Sequence, residues 1–541
     1  MIKCSLEGEG GILMGIQDAR FRHPRFLCCH PPLQYTTDEL IRPDGTLAVA
    51  YLDAALSVAG FHCDILDMSI GRPGTDPLEE TFYRAIPLPQ VSPDMVRIGM
   101  SDERILKEVS DYDVIAVTSI FTQQTSRCLD LGKLIKSVFP SKILIAGGVN
   151  ARSLREHFFD NGYDLVCVSE GEQPVVALAH YLRSGSPALD RIPSVSYRVG
   201  GKTFTNPTTL VDDLDEYPIP SWEKLPNDQY WKINRLWGGK TGWLEGREPR
   251  YASIFTSRGC PFSCKYCHIS GERGGEAGQI GSLRLHSVER VEQELIKLKG
   301  LGVELVYVND DSFLAKKPRV YEILKRIRKY NFLVADVNGV NIVHLHKREG
   351  NRLVVDIELL EALYDAGFRR FGLPFESGTQ RLVDKYSSAK WDMNTLDPII
   401  LIQTMEKMGF TVTGNFMIGY PDETLGELTN TFLLARRAMD AGLTACGFFM
   451  VQPFPGTALF DETLASGQLP SNWHWDQLGW SKQSPFNDLP IDRDLLKYTW
   501  SLVFRLLNRD VRNEEWSAQM NKARSIYATD ALNAGETGLR A

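Results

Sequence analysis

Short apolar runs alternate with helix-like segments twice over in this chain, and that repeated alternation limits its fold more than any single motif. Between residues 25 and 185 the runs are RFLCCHPP, HCDILDM, DVIAVTSI, KILIAGGV and DLVCVSEGE, separated by stretches such as TLAVAYLDAALSVAG and SRCLDLGKLIKSVF. Apolar strands spaced by helices predict a parallel sheet covered on both faces, a doubly wound, Rossmann-like α/β domain. Such sheets bind ligands at the carboxyl ends of their strands. Those ends carry Ser119 to Thr122, Gly147-Gly148-Val149-Asn150 and Ser169-Glu170-Gly171-Glu172, where glycines permit close backbone approach and hydroxyls offer hydrogen bonds.

The second alternation runs from 251 to about 470: YASIFTSRG, ELVYVNDDSF, FLVADVNGVN, FRRFGLPFESG, FTVTGNFMIGYP and ACGFFMVQPFPGT. Six consecutive β/α units predict a complete or partial parallel barrel, a (β/α)6 unit whose chemistry belongs at the carboxyl ends of its strands. Residues 186–250 read as a connector, with a hairpin around Gly200-Gly201 and a proline- and acid-rich stretch, DDLDEYPIPSWEKLP. Residues 1–24 form an N-terminal extension, and 471–541 a small, mainly helical C-terminal region placed to cover the barrel mouth. Trp473, Trp475 and Trp480 in that region are read as packed core rather than a flat substrate wall.

At 541 residues the chain is too long for one hydrophobic core. A net charge of -8 gives no basic excess for a phosphate backbone, so nucleic acid is not an expected partner. No run of 18 apolar residues predicts a membrane span, and the first residues lack the pattern of a secretory signal, so the expected location is cytoplasmic. Seven cysteines are scattered without framework spacing.

The other three, Cys260, Cys264 and Cys267, crowd into SRGCPFSCKYCHIS after the first barrel strand. Structural zinc would need His268 or a distant fourth ligand, and no second CxxC pair is present. Simple burial is a weaker reading. An iron-sulfur cluster normally takes four thiolates, so three would leave one iron open to a small molecule.

C-x3-C-x2-C in this position resembles the radical S-adenosylmethionine superfamily. The resemblance implies a 4Fe-4S cluster on Cys260, Cys264 and Cys267, with S-adenosylmethionine on the fourth iron as source of a 5'-deoxyadenosyl radical. It further implies that Tyr266 packs on adenine and that Asn309-Asp310-Asp311, ending the second barrel strand, receives the methionine amino group, largely through backbone oxygens. By the same resemblance Glu376 and Ser377, ending the fourth strand, lie near the ribose and methionine part of the cofactor, and the backbone of the segment Gly414 to Thr424 lies along the adenosine. The motif at 309–311 departs from the Gly-Gly-Glu of many members.

No GxGxxG or phosphate-binding P-loop follows the first strand of the front domain. Its strand ends instead resemble the cobalamin-binding module of cobalamin-dependent radical S-adenosylmethionine enzymes, which implies cobalamin contacts at Ser119, Gly147, Gly148, Glu170 and Gly171. None of the ten histidines lies in an Asp-x-His-x-x-Gly arrangement, and Asn150 stands where many members carry histidine. His30 is weighed as a cofactor neighbour or a structural residue.

The family likeness implies methylation of an unactivated carbon of a small-molecule biosynthetic intermediate, with cobalamin as methyl carrier and an external one-electron donor of flavodoxin or ferredoxin type. RIGMSDERI and GGVNAR resemble segments of the C-methylases of phosphonate natural products, the fosfomycin type. The alternative is a cobalamin-dependent cyclase or rearrangement oxidoreductase without net methyl transfer.

Overall fold

The computed structural model describes residues 16, 17, 19–36, 47–233, 249–350, 352–479 and 482–508. Much of the N-terminal extension, Trp480 and residues beyond 508 therefore lie outside the described residues.

The first sheet is built from β1 (Arg25–His30), β2 (His62–Asp67), β3 (Val114–Thr118), β4 (Ile143–Gly147), β5 (Leu165–Cys167), β6 (Val195–Val199) and β7 (Lys202–Thr205). Its order is β7-β6-β5-β4-β3-β1-β2, and β1 to β5 pair in parallel. Continuous buried runs such as Phe26-Leu27-Cys28-Cys29 follow from helices on both faces. The chain reverses direction across the sheet between β1 and β3, which makes their carboxyl ends the crevice of this domain. The hairpin expected in the connector does form, with Gly200 at φ 55° and Gly201 at φ 76°, conformations that suit a two-residue turn. It is not a free connector, because β6 pairs antiparallel with β5 and extends the front sheet.

The second sheet holds β8 (Tyr251–Ile254), β9 (Leu305–Val308), β10 (Leu333–Asp336), β11 (Phe368–Glu376), β12 (Thr411–Ile418) and β13 (Ala445–Met450) in sequential order, every neighbouring pair parallel. This is the partial six-stranded barrel. Its helices start on local signals: Thr424 and Glu427 form a reciprocal capping box on the helix Leu425–Asp440, satisfying backbone donors that the first turn leaves free.

A partial barrel leaves two edge strands with unpaired backbone groups. Trp222 and Trp231 donate from their indole nitrogens to Ser253 O at 3.0 Å and Tyr251 O at 2.9 Å on β8. On β13, Trp500 donates to Phe448 O at 2.9 Å, and the Asn508 amide pairs both ways with Cys446, accepting at 2.8 Å and donating at 2.9 Å. The C-terminal helix Arg493–Leu507 thus covers the barrel edge rather than its mouth. The segment before it crosses to the front domain, where Trp475 donates to Ser126 Oγ at 2.8 Å and Asp476 accepts from Gln34 at 2.7 Å. Trp473 and Trp475 pack against the front-domain core.

Trp222 is fully buried between connector and barrel. Trp222→Phe keeps most of the contact area but leaves Ser253 O unpaired, and is expected to cost about 1–3 kcal/mol. Trp222→Ala is expected to cost about 3–5 kcal/mol, both read as a lowered midpoint of thermal unfolding.

Candidate active site

The three cysteines leave β8 through a loop braced from every side. Its base is a two-residue ladder in which Ser257–Arg258 pairs with Arg284–Leu285. Gly259 has φ +81°, and a Cβ there would sit 2.3 Å from Ser282 O, so the turn into Cys260 admits only glycine. Cys260 N donates to Gly281 O at 3.1 Å, Cys267 N and Ser270 Oγ donate to Cys264 O at 3.1 and 2.9 Å, and Lys265 N donates to Tyr386 O at 2.8 Å. Arg273 lies along the outside, donating to Ser263 Oγ at 2.7 Å, to Phe262 O at 2.5 Å and to Cys260 O.

Cys264 is buried and its two partners are half-buried. Burial pushes the Cys267 thiol up to about 12, and Cys264, Asp311 and Cys260 reinforce it. Burial raises Cys260 and Cys264 as well, while the Lys390 ammonium opposes the rise. The thiols stand close enough to influence one another, yet among the described residues no three His, Cys, Asp or Glu side chains close around one point. Three cysteine thiols on one loop are the donor set that an iron-sulfur cluster with one open iron requires.

Around the loop stand the ends of the other strands. Tyr266 hydrogen-bonds Ser387 Oγ at 3.0 Å, and its ring lies 6.4 Å from that of Tyr420. Glu376 ends β11 in the left-handed region, at φ 66°, beside a register shift. It forms a buried ion pair with Lys390. Ser388 and Ala389, at φ 60° and 46°, deliver that lysine, so three of the seven non-glycine residues with positive φ among the described residues lie in or beside one ion pair. Such strain persists only where the surroundings hold it, and it gathers at functional sites. Burial works against the Lys390 charge, but Glu376 and Cys264 overcome it and keep the ammonium protonated well above its ordinary range. Ser377 is buried, its hydroxyl shared with Thr431 at 3.2 Å and Thr379 N at 3.1 Å.

Asn309 Oδ1 is buried without a partner, an acceptor that a bound donor would satisfy. The Asp310 carboxylate is committed within the protein: it accepts from Thr256 N and Oγ1, both at 2.6 Å, and from Ser257 Oγ at 2.5 Å. This side chain ties the barrel to the base of the cysteine loop and leaves only main chain for a ligand. Asp311 accepts from Gly259 N, and burial with Asp310 nearby pushes it up to about 7. At Gly414, Leu443, Phe416 and Phe375 fill the space a side chain would need, which restricts the position to glycine, while Asn415 lies on the opposite face beside Gly372 and Gly447.

In the front domain, Gly148 at φ 103° packs so tightly on Ser119 O that a Cβ would lie at 2.5 Å. Ser119 N donates to Gly147 O at 2.7 Å, and Asn150 Nδ2 donates to Ser119 Oγ at 2.8 Å and Thr125 Oγ1 at 3.0 Å. Asn150 thus builds the crevice wall. Beside it Ile120 and Phe121 are 37% and 36% exposed, an apolar shoulder at the crevice mouth. His30 is buried, with Nδ1 3.1 Å from Pro31 O.

Glu170 is the clearest correction. Its carboxylate is taken by Arg258 at 2.9 Å, by Arg284 at 2.7 and 3.0 Å and by Tyr217 OH at 2.9 Å, all outside the front-domain crevice. Burial would raise Glu170, but the Arg284 and Arg258 guanidiniums bring it down to about 2. Gly171 follows at the start of the helix Glu172–Ser184, where a Cβ would meet Leu52 at 2.9 Å.

The fold and this site define an α/β enzyme in which a B12 binding domain, matched over residues 45–179, precedes a radical SAM superfamily domain, matched over 254–435. The chain thus carries a radical SAM domain and a B12 binding domain, which together imply a 4Fe-4S cluster, S-adenosylmethionine and cobalamin as cofactors. It is 24% identical over 481 residues to a cytidylyl-2-hydroxyethylphosphonate methyltransferase of Streptomyces wedmorensis, covering 82% of this chain and 83% of that protein. The fold is shared with the methyltransferase TsrM from Kitasatospora setae, solved with cobalamin and a 4Fe-4S cluster, at TM-score 0.60 and 16% identity over 82% of this chain and 78% of that one. OxsB, solved with aqua-cobalamin and S-adenosylmethionine, gives TM-score 0.56 and 19% identity over 82% of this chain and 56% of that one.

Gly259→Ala tests the loop turn: the added methyl meets backbone, which cannot yield, and the conformation disfavours any side chain. The variant is expected to hold less than about half the wild-type iron and sulfide after reconstitution, with front-domain cobalamin binding retained.

Proposed function

We propose that the chain transfers a methyl group to an unactivated carbon of a small-molecule biosynthetic intermediate. The observation that carries this reading is the docking of the cysteine loop against strand-end loops of the B12 domain, seen in the Arg258–Glu170 contact at 2.9 Å. The methyltransferase relative that spans most of the chain supports it over the cyclase alternative. When bound, the reduced cluster and S-adenosylmethionine supply a 5'-deoxyadenosyl radical, and cobalamin carries the methyl group.

In this reading Cys260, Cys264 and Cys267 hold the cluster, and their bracing by Gly259, Arg273 and Tyr386 keeps the loop from rearranging. Tyr266, its hydroxyl tethered to Ser387, offers a fixed ring face to adenine. Asn309 Oδ1 accepts from the methionine amino group, and Lys390 turns from Glu376 toward the carboxylate, which leaves Glu376 for the ribose hydroxyls. Gly147, Gly148 and the backbone at Ser119 line the cobalamin crevice, with Ile120 and Phe121 as its apolar shoulder. The Glu170 carboxylate, held by Arg258 and Arg284, makes no cofactor contact in this reading. A flavodoxin- or ferredoxin-type protein supplies the electron, and the reducing cytoplasm suits such a cluster. No helix among the described residues is long and apolar enough to cross a membrane.

Anaerobic reconstitution with methyl-labelled S-adenosylmethionine and a candidate substrate is expected to yield deoxyadenosine and S-adenosylhomocysteine near one to one, measured by mass spectrometry. Deoxyadenosine without S-adenosylhomocysteine would move the assignment to cyclisation or rearrangement. Cys264→Ala is expected to abolish deoxyadenosine and to lose the cluster absorbance together.

Lys390→Met leaves the Glu376 carboxylate buried and unpaired. It is expected to weaken S-adenosylmethionine binding at least about tenfold, or about 1.4 kcal/mol, at unchanged iron content. Equilibrium dialysis of the reconstituted enzyme reads this.

A further inference from the structure

A buried cluster of opposite charges joins the two domains two residues ahead of Cys260. Arg258 sends one nitrogen to Glu170 at 2.9 Å and another to Glu172 at 2.7 Å, and Arg284 grips Glu170 with two nitrogens. Tyr51 from the front domain and Tyr217 from the connector cover the Arg258 guanidinium at 4.8 and 4.7 Å from their ring centroids. Arg284 also donates to Val211 O at 2.6 Å. Two carboxylates face two guanidiniums, so the cluster is neutral as a unit.

Its four members come from two short, stiff structural units, a two-stranded ladder and a turn. Both arginines sit on the ladder Ser257–Arg258 with Arg284–Leu285, the base of the cysteine loop. Both glutamates sit on the turn between β5 and the helix Glu172–Ser184, at the strand ends of the front domain. Parallel ties run beside it: Arg152, from the helix after Gly148, pairs with Glu272 at 2.5 Å, and Ser169 Oγ donates to Ala277 O at 2.9 Å. Buried ion pairs add little net stability over an apolar replacement, because desolvation cancels most of the attraction. What they supply is geometry, since bidentate pairs tolerate little displacement.

We propose that Glu170 and Arg258 are positioning residues that set the separation between the cobalamin crevice and the cluster loop. They hold the gap across which a substrate radical must meet its methyl donor. The proposal rests on the methyl-transfer reading for its functional meaning, and its physical content is testable without a substrate.

The test uses the full chain reconstituted with iron, sulfide and hydroxocobalamin, then reduced. Pulsed electron paramagnetic resonance reads the relaxation that the reduced cluster imposes on cob(II)alamin, which depends on their separation. Glu170→Gln and Arg258→Lys are expected to bind iron, sulfide and cobalamin at wild-type stoichiometry, yet to lose at least threefold of that relaxation enhancement. With substrate, deoxyadenosine formed per S-adenosylhomocysteine is expected to rise at least threefold. A merely structural role would lower folded protein and leave the relaxation of the remainder unchanged. Wild-type relaxation in both variants overturns the proposal. If Glu170→Gln fails to fold, Tyr217→Phe removes only the hydroxyl that bonds Glu170 at 2.9 Å, and it is expected to show a smaller loss of enhancement in the same direction. No change there, with Arg258→Lys also unchanged, overturns it equally. Absence of S-adenosylhomocysteine in the wild type would sink the methyl-transfer reading alone, with the relaxation measurement still deciding the positioning role.

Discussion

Arg258 meets two carboxylates of another domain and two tyrosine rings at once, with its side chain only 16% exposed. Taking such a group largely out of water costs several kcal/mol per ion, which close pairing has to offset. The two domains therefore favour the placement in which both guanidiniums meet the two carboxylates. The cysteine loop inherits that placement because Arg258 is part of its base. Asp310 serves the same end from the barrel side, with three hydrogen bonds to Thr256 and Ser257 that fix where β8 ends and the loop begins.

A second constraint lies across the cavity, where backbone strain at Glu376, Ser388 and Ala389 surrounds a buried Lys390. Strained backbone costs of order 1–3 kcal/mol per residue. The cost is met by packing: Leu382, Tyr386, Tyr420, Val451 and Phe486 form a buried cluster against which Tyr266 lies. Stiff surroundings thus hold a charged group beside three thiols, an arrangement that favours an anionic or metal-bound occupant over the bare protonated site.

Much of this was legible before any fold was known. The two β/α alternations, the partial barrel and the cysteine spacing depend on near neighbours in the chain, and periodicity reads those directly. The hairpin at Gly200-Gly201 was legible as a turn, but not its pairing with β5, because edge pairing is a non-local choice. Glu170 and Asp310 sit at or near strand ends, where ligand contact is the default expectation, yet their side chains are spent on Arg258 and Arg284 and on Thr256 and Ser257. A side chain's direction depends on what packs opposite it. Lys390 carried no signal beyond ordinary charge in SSAKWD.

The sequence by itself determined the order of the two α/β domains, the barrel's strand number and the residues able to hold a three-thiolate cluster. Each is encoded in spacings of a few residues, where hydrophobic periodicity and thiol chemistry act locally. The tertiary structure alone decided which acids meet arginines, and how the barrel edges are covered by Trp222, Trp500 and Asn508. Those outcomes turn on contacts between residues far apart in the chain, such as Glu170 with Arg258, whose pairing exists only once both sheets have formed and the water between them is gone.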